Sequence, residues 1–125
     1  VAYLTLAETL VAFPSLKELY DKERVSDGRI TGWIKEATDL INGHVGSRYQ
    51  LPFAVTPPLI ETLALELFEY YWQKSTYTPT ATGEEVPWLY ARYDRIVKLL
   101  QQIRDGKLML FDSNGLEIET ASRKL

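Results

Sequence analysis

Residues 30–49 read ITGWIKEATDLINGHVGSRY, and the spacing within this run decides the fold class. Ile30, Trp33, Ile34, Ala37, Leu40, Ile41, Val45 and Tyr49 recur at steps of three and four. On an α-helix such steps bring side chains onto one face, so the run predicts one amphipathic helix from about Thr31 to Tyr49. Gly43 and Gly46 weaken its last turns by about 1 kcal/mol each relative to Ala. Their presence there predicts close approach of another backbone.

On the C-terminal side, Leu51-Pro52 ends the helix near Gln50, because a residue before proline is pushed out of the α region. Thr56 as N-cap and Pro57 in the first helical position then start a second long helix, to about Lys74. Its stripe of Leu59, Ile60, Leu63, Ala64, Leu67, Tyr70 and Tyr71 is widened by Leu65, Phe68 and Trp72. A helix this apolar must be covered on most sides, by its own domain or by a neighbouring subunit. Phe68 and Trp72 are accordingly expected at a subunit interface. Ser75 to Glu85 is rich in Thr, Pro and Gly and is expected to be a mobile loop. A third long helix starts near Val86-Pro87, carries Leu89, Tyr90, Tyr93, Ile96, Val97, Leu100 and Ile103 at helical spacing, and is capped by Gly106.

On the N-terminal side, Thr5 and Glu8 have capping-box spacing, and so do Ser15 and Glu18. Two short helices broken at Pro14 are expected. Asp27-Gly28 reads as a tight turn fixed by Gly28, with Ile30 tucked into the core. The tail differs from all of this. Leu108 to Phe111 form an apolar run, Asp112-Ser113-Asn114-Gly115 is turn-like, and Leu116 and Ile118 alternate with Glu117 and Glu119. The expected fold is all-α: a small bundle of three long helices with short N-terminal helices over residues 1–106. Residues 107–125 are expected as a C-terminal arm, extended or folded into a small hairpin. A two-stranded hairpin alone is marginal in water, so this arm needs something to pair with.

The chain has 125 residues, enough for one domain, and 46% of them are hydrophobic, enough for one core. Fourteen basic residues face 17 acidic ones, a net charge of −3, which argues against tight wrapping of nucleic acid. No cysteine is present, so disulfides, thiolate metal sites and cysteine nucleophiles are excluded. No apolar run reaches the roughly 18–20 residues that span a bilayer, and no membrane contact is expected. Val1 to Thr5 lacks the charged n-region and apolar stretch of a signal peptide. Eight Tyr, four Phe and three Trp are the enriched class, and such rings serve subunit contacts as readily as cores.

Catalytic chemistry has no visible constellation. His44, the only histidine, has Leu40, Ile41, Ser47 and Arg48 as helical neighbours, none of them a second metal ligand. Glu61, Glu66 and Glu69 have no nucleophile or metal partner, and read as a solvated helix edge. Gly43-x-x-Gly46 falls within a helical pattern and is not a phosphate loop. Arg92, Arg95 and Lys98, interleaved with Asp94, read as a solvated face. No catalytic residue, metal or cofactor is expected. Arg48 and Tyr49 are the polar pair that stands out. Either they make a subunit interface, with Arg48 bonding a neighbour's carboxylate, or they are a local salt bridge and a core tyrosine.

Several stretches together resemble the Mu-like phage family of small virion proteins. Tyr3-Leu4-Thr5, Leu10, Phe13, Leu19 and Asp21 carry the first part. Ala37-Thr38-Asp39-Leu40-Ile41-Asn42-Gly43-His44-Val45, leading into Arg48-Tyr49-Gln50-Leu51-Pro52-Phe53, is the most specific part. Val55-Thr56-Pro57-Pro58-Leu59, Tyr70-Tyr71, and Tyr93 through Asp105-Gly106-Lys107 complete a likeness over about residues 3–110. The family is similar to the connector or adaptor proteins of the phage neck. The resemblance implies a structural, non-enzymatic virion protein that forms a homo-oligomeric ring, typically of twelve copies, beneath the portal protein. Such a ring completes the head, passes DNA through its lumen without specific binding, and meets the next neck or tail protein. Relatives carry an EF-hand-like turn before the first long helix. Here Val25 and Ile34 fall where loop positions three and twelve need oxygen ligands, so calcium is not expected.

Within that reading the arm is expected to dock on the portal or a neck neighbour by strand addition, through Leu108, Leu110, Phe111, Leu116 and Ile118. Deleting residues 107–125 is expected to leave the helical domain folded. The rival reading is a small helical DNA-binding or packaging module, which would need a basic recognition helix.

Overall fold

The computed structural model describes residues 2–76 and 87–120. Among these are five helices, α1 Leu6–Ala12, α2 Pro14–Asp21, α3 Asp27–Val45, α4 Pro58–Thr76 and α5 Pro87–Arg104, as an all-α fold. The expected loop after Ser75 falls, from residue 77 to 86, outside the described residues.

The local signals explain most helix ends. At α1 the Thr5–Glu8 capping box is formed in both directions. At α2 the expected Ser15–Glu18 box does not form. Pro14, with its preset φ, takes the first helical position, so the helix starts before Ser15, and Glu18 pairs with Lys22 at 3.0 Å instead. The α3 helix starts earlier than its apolar stripe implies. Ser26 is the N-cap and accepts from the Arg29 N–H, while Asp27 places an acid in the first turn, where the helix dipole favours it. Gly28 is therefore helical rather than a turn residue. The chain reverses instead at Glu23, with φ 59°, where the Arg24 N–H donates to the Leu19 carbonyl and the Glu23 N–H to that of Tyr20. Ile30 is fully buried, as expected.

The α3 helix ends at Val45, and residues 46–49 wind tighter, with the Arg48 and Tyr49 N–H groups both donating to the Val45 carbonyl. A side chain at Gly46 would meet the Asn42 carbonyl oxygen of its own preceding turn at 2.7 Å and the Leu51 side chain at 3.2 Å, so the crowding there is local and no other backbone approaches. At Gly43 nothing comes within 4 Å, and the expected contact is absent. The α4 helix begins one residue later than expected, because it is the Pro57 carbonyl that accepts from the Ile60 and Glu61 N–H groups. At the end of α5, Gly106 has φ 80°, the Gly106 N–H donates to Ile103 and that of Lys107 to Gln102, which satisfies the last carbonyls in the left-handed manner glycine allows.

The α3, α4 and α5 helices form an antiparallel up-down-up bundle. Arg29 near the start of α3 donates to Ser75 near the end of α4, and Trp33 meets Phe68 edge-on at 6.1 Å. Glu69 pairs with Arg92 at 2.6 Å and Glu66 with Arg95, one turn apart on both helices. Glu66 and Glu69 of α4 and Arg92 and Arg95 of α5 are thus partners, while Glu61 and Lys98 are exposed as expected of a solvated face. Being partly exposed, each pair is worth at most about 1 kcal/mol, and their main effect is to fix register.

The α1–α2 hairpin closes the bundle. Phe13, at the junction of α1 and α2, stacks on Phe68 at 5.8 Å and meets Trp72 at 6.2 Å. Phe68 is fully buried and Trp72 is 8% exposed, both in the protomer's own core. That corrects their expected place at a subunit interface: the aromatic excess of α4 is covered by Phe13 and Trp33 of the same chain. Val25 and Ile34, at the positions that would need calcium ligands, are buried core residues too.

Gly106→Ala forces an L side chain into left-handed backbone and toward the Arg48 guanidinium. A loss of about 1–2 kcal/mol is expected by urea denaturation. Glu23→Gly removes the same penalty and is expected to shift the midpoint the other way, by up to about 1 kcal/mol.

Candidate assembly surface

The up-down-up arrangement collects the end of α3, the start of α4 and the end of α5 at one end of the bundle. Tyr49 organises it. Its side chain is 1% exposed, and its hydroxyl accepts the Leu110 backbone N–H at 3.2 Å. Phe53 lies 6.1 Å from the Tyr49 ring and 6.4 Å from that of Tyr3. Tyr3 in turn donates its hydroxyl to Asn42 Oδ1, and burial pushes its phenol above the usual range. One aromatic row therefore ties the N-terminal segment, the α3–α4 loop, the end of α3 and the tail.

The tail is a small hairpin. Asp112 N–H donates to the Leu116 carbonyl at 2.8 Å, Ile118 N–H to that of Leu110 at 2.9 Å, and Phe111 and Glu117 form an antiparallel bridge. Asp112 Oδ1 accepts from the backbone N–H groups of Asn114 and Leu116, and Gly115 has φ 82°, so the turn residues build the turn. Such a hairpin is marginal by itself. Here Leu110, fully buried, anchors it in the core.

The five residues expected to dock a partner therefore divide. Leu110 is a core residue, and Leu108 and Ile118 pack half-buried against that core. This corrects the picture of a free arm, because removal of residues 107–125 would uncover the helical core. Phe111 and Leu116 remain outside, 49% and 66% exposed. Of the polar pair, Tyr49 is the buried core tyrosine. The alternative of a local salt bridge for Arg48 is not realised: no acceptor among the described residues meets its guanidinium, and its Nε is buried without a partner.

The sequence reading missed the α3–α4 loop. Residues 49–60 contain no charge in a chain that is 25% charged. Pro52, Ala54, Val55 and Pro58 are exposed there, Val55 at 66%. A run of twelve uncharged residues was the available signal, obscured because Pro52, Pro57 and Pro58 mark it as a plain linker. The other end of the bundle carries exposed charge and an exposed Trp88. Arg29 covers Trp33 at 5.2 Å and Lys74 covers Tyr70 at 5.8 Å, with Glu23, Arg24 and Asp27 exposed nearby.

The remaining candidates have local roles. His44 Nδ1 lies 3.0 Å from the Leu40 carbonyl oxygen, one turn back on its own helix. No helix among the described residues is long and apolar enough to cross a membrane.

Tyr49→Phe leaves the Leu110 N–H buried without its acceptor. A loss of about 1–2 kcal/mol is expected, with faster hydrogen exchange concentrated at residues 108–118. Uniform exchange rates across the chain would show that the hairpin does not depend on this bond.

Exposed Phe111, Leu116 and Val55, the last on a stretch without charge, are apolar side chains of the kind found in protein–protein interface cores. No curated protein is significantly similar to the chain. The family model described as Bacteriophage Mu, Gp36 matches residues 4–124, and the chain belongs to that family, as a phage structural or morphogenesis protein.

Proposed function

We propose that the protein is a head–tail connector of the phage neck. In this reading its copies form a ring beneath the portal, complete the head, and offer a surface to the next neck or tail protein. The core-anchored hairpin with exposed Phe111 and Leu116 is the observation that carries the reading.

The hairpin suits strand addition. Phe111 and Glu117 are a non-hydrogen-bonded pair, so their backbone N–H and C=O groups point away from each other, along the two open edges. A partner's extended segment can take up either edge, with Phe111 and Leu116 supplying apolar contact. Leu110 gives this edge a rigid mount, which lowers the ordering cost of binding. The rival reading, a DNA-binding module, needs free cations on a helix, whereas Arg92 and Arg95 are occupied by Glu69 and Glu66. DNA passing through the lumen without specific contact agrees with the chain's net charge of −3.

Because truncation of the tail would open the core, point substitutions are the sharper test. Phe111→Ser with Leu116→Ser replaces two exposed side chains, and stability is expected to stay within about 0.5 kcal/mol of the parent. Co-sedimentation with portal rings is expected to be lost. Undiminished portal binding by this folded double variant would remove the hairpin from the docking face.

A further inference from the structure

Arg48 is the only charged residue from Val45 to Ile60. Its guanidinium lies against bare backbone: a Cβ on Gly106 would stand 2.8 Å from Arg48 Cζ. Packing there seals Nε from solvent with no acceptor. The terminal nitrogens also meet no acceptor among the described residues. The neighbouring acid, Asp105, is held by Arg104 Nε at 3.1 Å, which leaves it turned to another cation. Arg48 is thus a cation packed on backbone with no acceptor among the described residues. Buried or half-buried guanidinium groups pair with carboxylates and stack on aromatic faces.

The matching chemistry stands beside it on the hairpin. Phe111 and Glu117 are directly opposed on adjacent strands, on the face turned away from Leu110 and Ile118, and both are exposed. In a non-hydrogen-bonded pair the two Cα atoms are about 4.5 Å apart, so ring and carboxylate lie side by side. Among the described residues Glu117 has no ion-pair partner, and in particular does not reach the Arg48 of its own chain.

We propose that Arg48 is completed by a second copy of this chain, whose Glu117 binds the guanidinium while its Phe111 covers the guanidinium face. The inference rests on the ring reading above. Rotation about a ring axis keeps every residue at its own height. Arg48 can therefore meet only those groups of the next copy that sit at its level. Through Gly106 and the Tyr49–Leu110 bond the hairpin lies close to Arg48, and so at a similar level whatever the subunit's tilt. The contact is head-to-tail, one Arg48 to the next Glu117, which is the kind that closes a ring.

Charge reversal tests the pair, with native mass spectrometry of the full chain, alone and with portal rings. R48E and E117K are each expected to weaken self-association by about tenfold or more per contact. The double variant R48E/E117K restores it. E117K alters an exposed residue, so an unchanged melting curve separates lost assembly from lost folding. Parent-like assembly by both single variants would overturn the pairing and leave the connector reading standing. Failure of the double variant to recover would also overturn it, since Arg48 would then face a different acid. A parent chain that never self-associates, with or without portal, would remove the ring reading and this inference together.

Discussion

The bond from the Leu110 N–H to the Tyr49 hydroxyl is where the helical bundle and the tail become one structure. Tyr49 is the last member of the α3 stripe, placed one turn beyond the helix by the tight winding of residues 46–49. That winding aims the phenol into the bundle end instead of along the helix flank. The tail can only enter the core if its backbone is satisfied there, because an unpaired buried N–H costs about 1–3 kcal/mol. The phenol supplies the acceptor, Leu110 then fills the core, and the hairpin gains the support that two strands lack alone.

This one tie shapes the surface at its own end of the molecule. At the far end Arg29 lies over the buried Trp33 and Lys74 over the buried Tyr70, while Trp88 at the start of α5 is 49% exposed. At the Tyr49 end the aromatic row runs inward, through Phe53 to Tyr3, and what it leaves outside is Val55, Phe111 and Leu116 without cover. Solvent contact on those side chains costs the isolated protomer hydrophobic stabilisation of order 1 kcal/mol or more apiece.

The sequence made the helices legible because they rest on local physics. Thr5 and Glu8, Pro14 and Gly106 act within one turn, and apolar steps of three and four mark the buried faces directly. Boundaries failed where two local signals competed. Ser15 had cap chemistry, but Pro14 before it started the helix first; Gly28 had turn chemistry, but Ser26 and Asp27 had already capped α3. The reversal at Glu23 was invisible, since glutamate carries no preference for positive φ.

The candidate surface was only half legible, for a different reason. Periodicity states that Phe68, Trp72 and Leu110 need cover, but not which chain provides it. Phe13 covers the first two from a position more than 50 residues away, a pairing no local pattern encodes. Exposure, by contrast, appears where cover is withheld, and the uncharged stretch around Val55 showed this by what it lacks. Arg48 combines both lessons. Its position one residue before the buried Tyr49 fixes its backbone, and its side chain is left on Gly106 with Asp105 already engaged. Its Nε is buried without a partner, and a buried polar group in that state calls for an explanation.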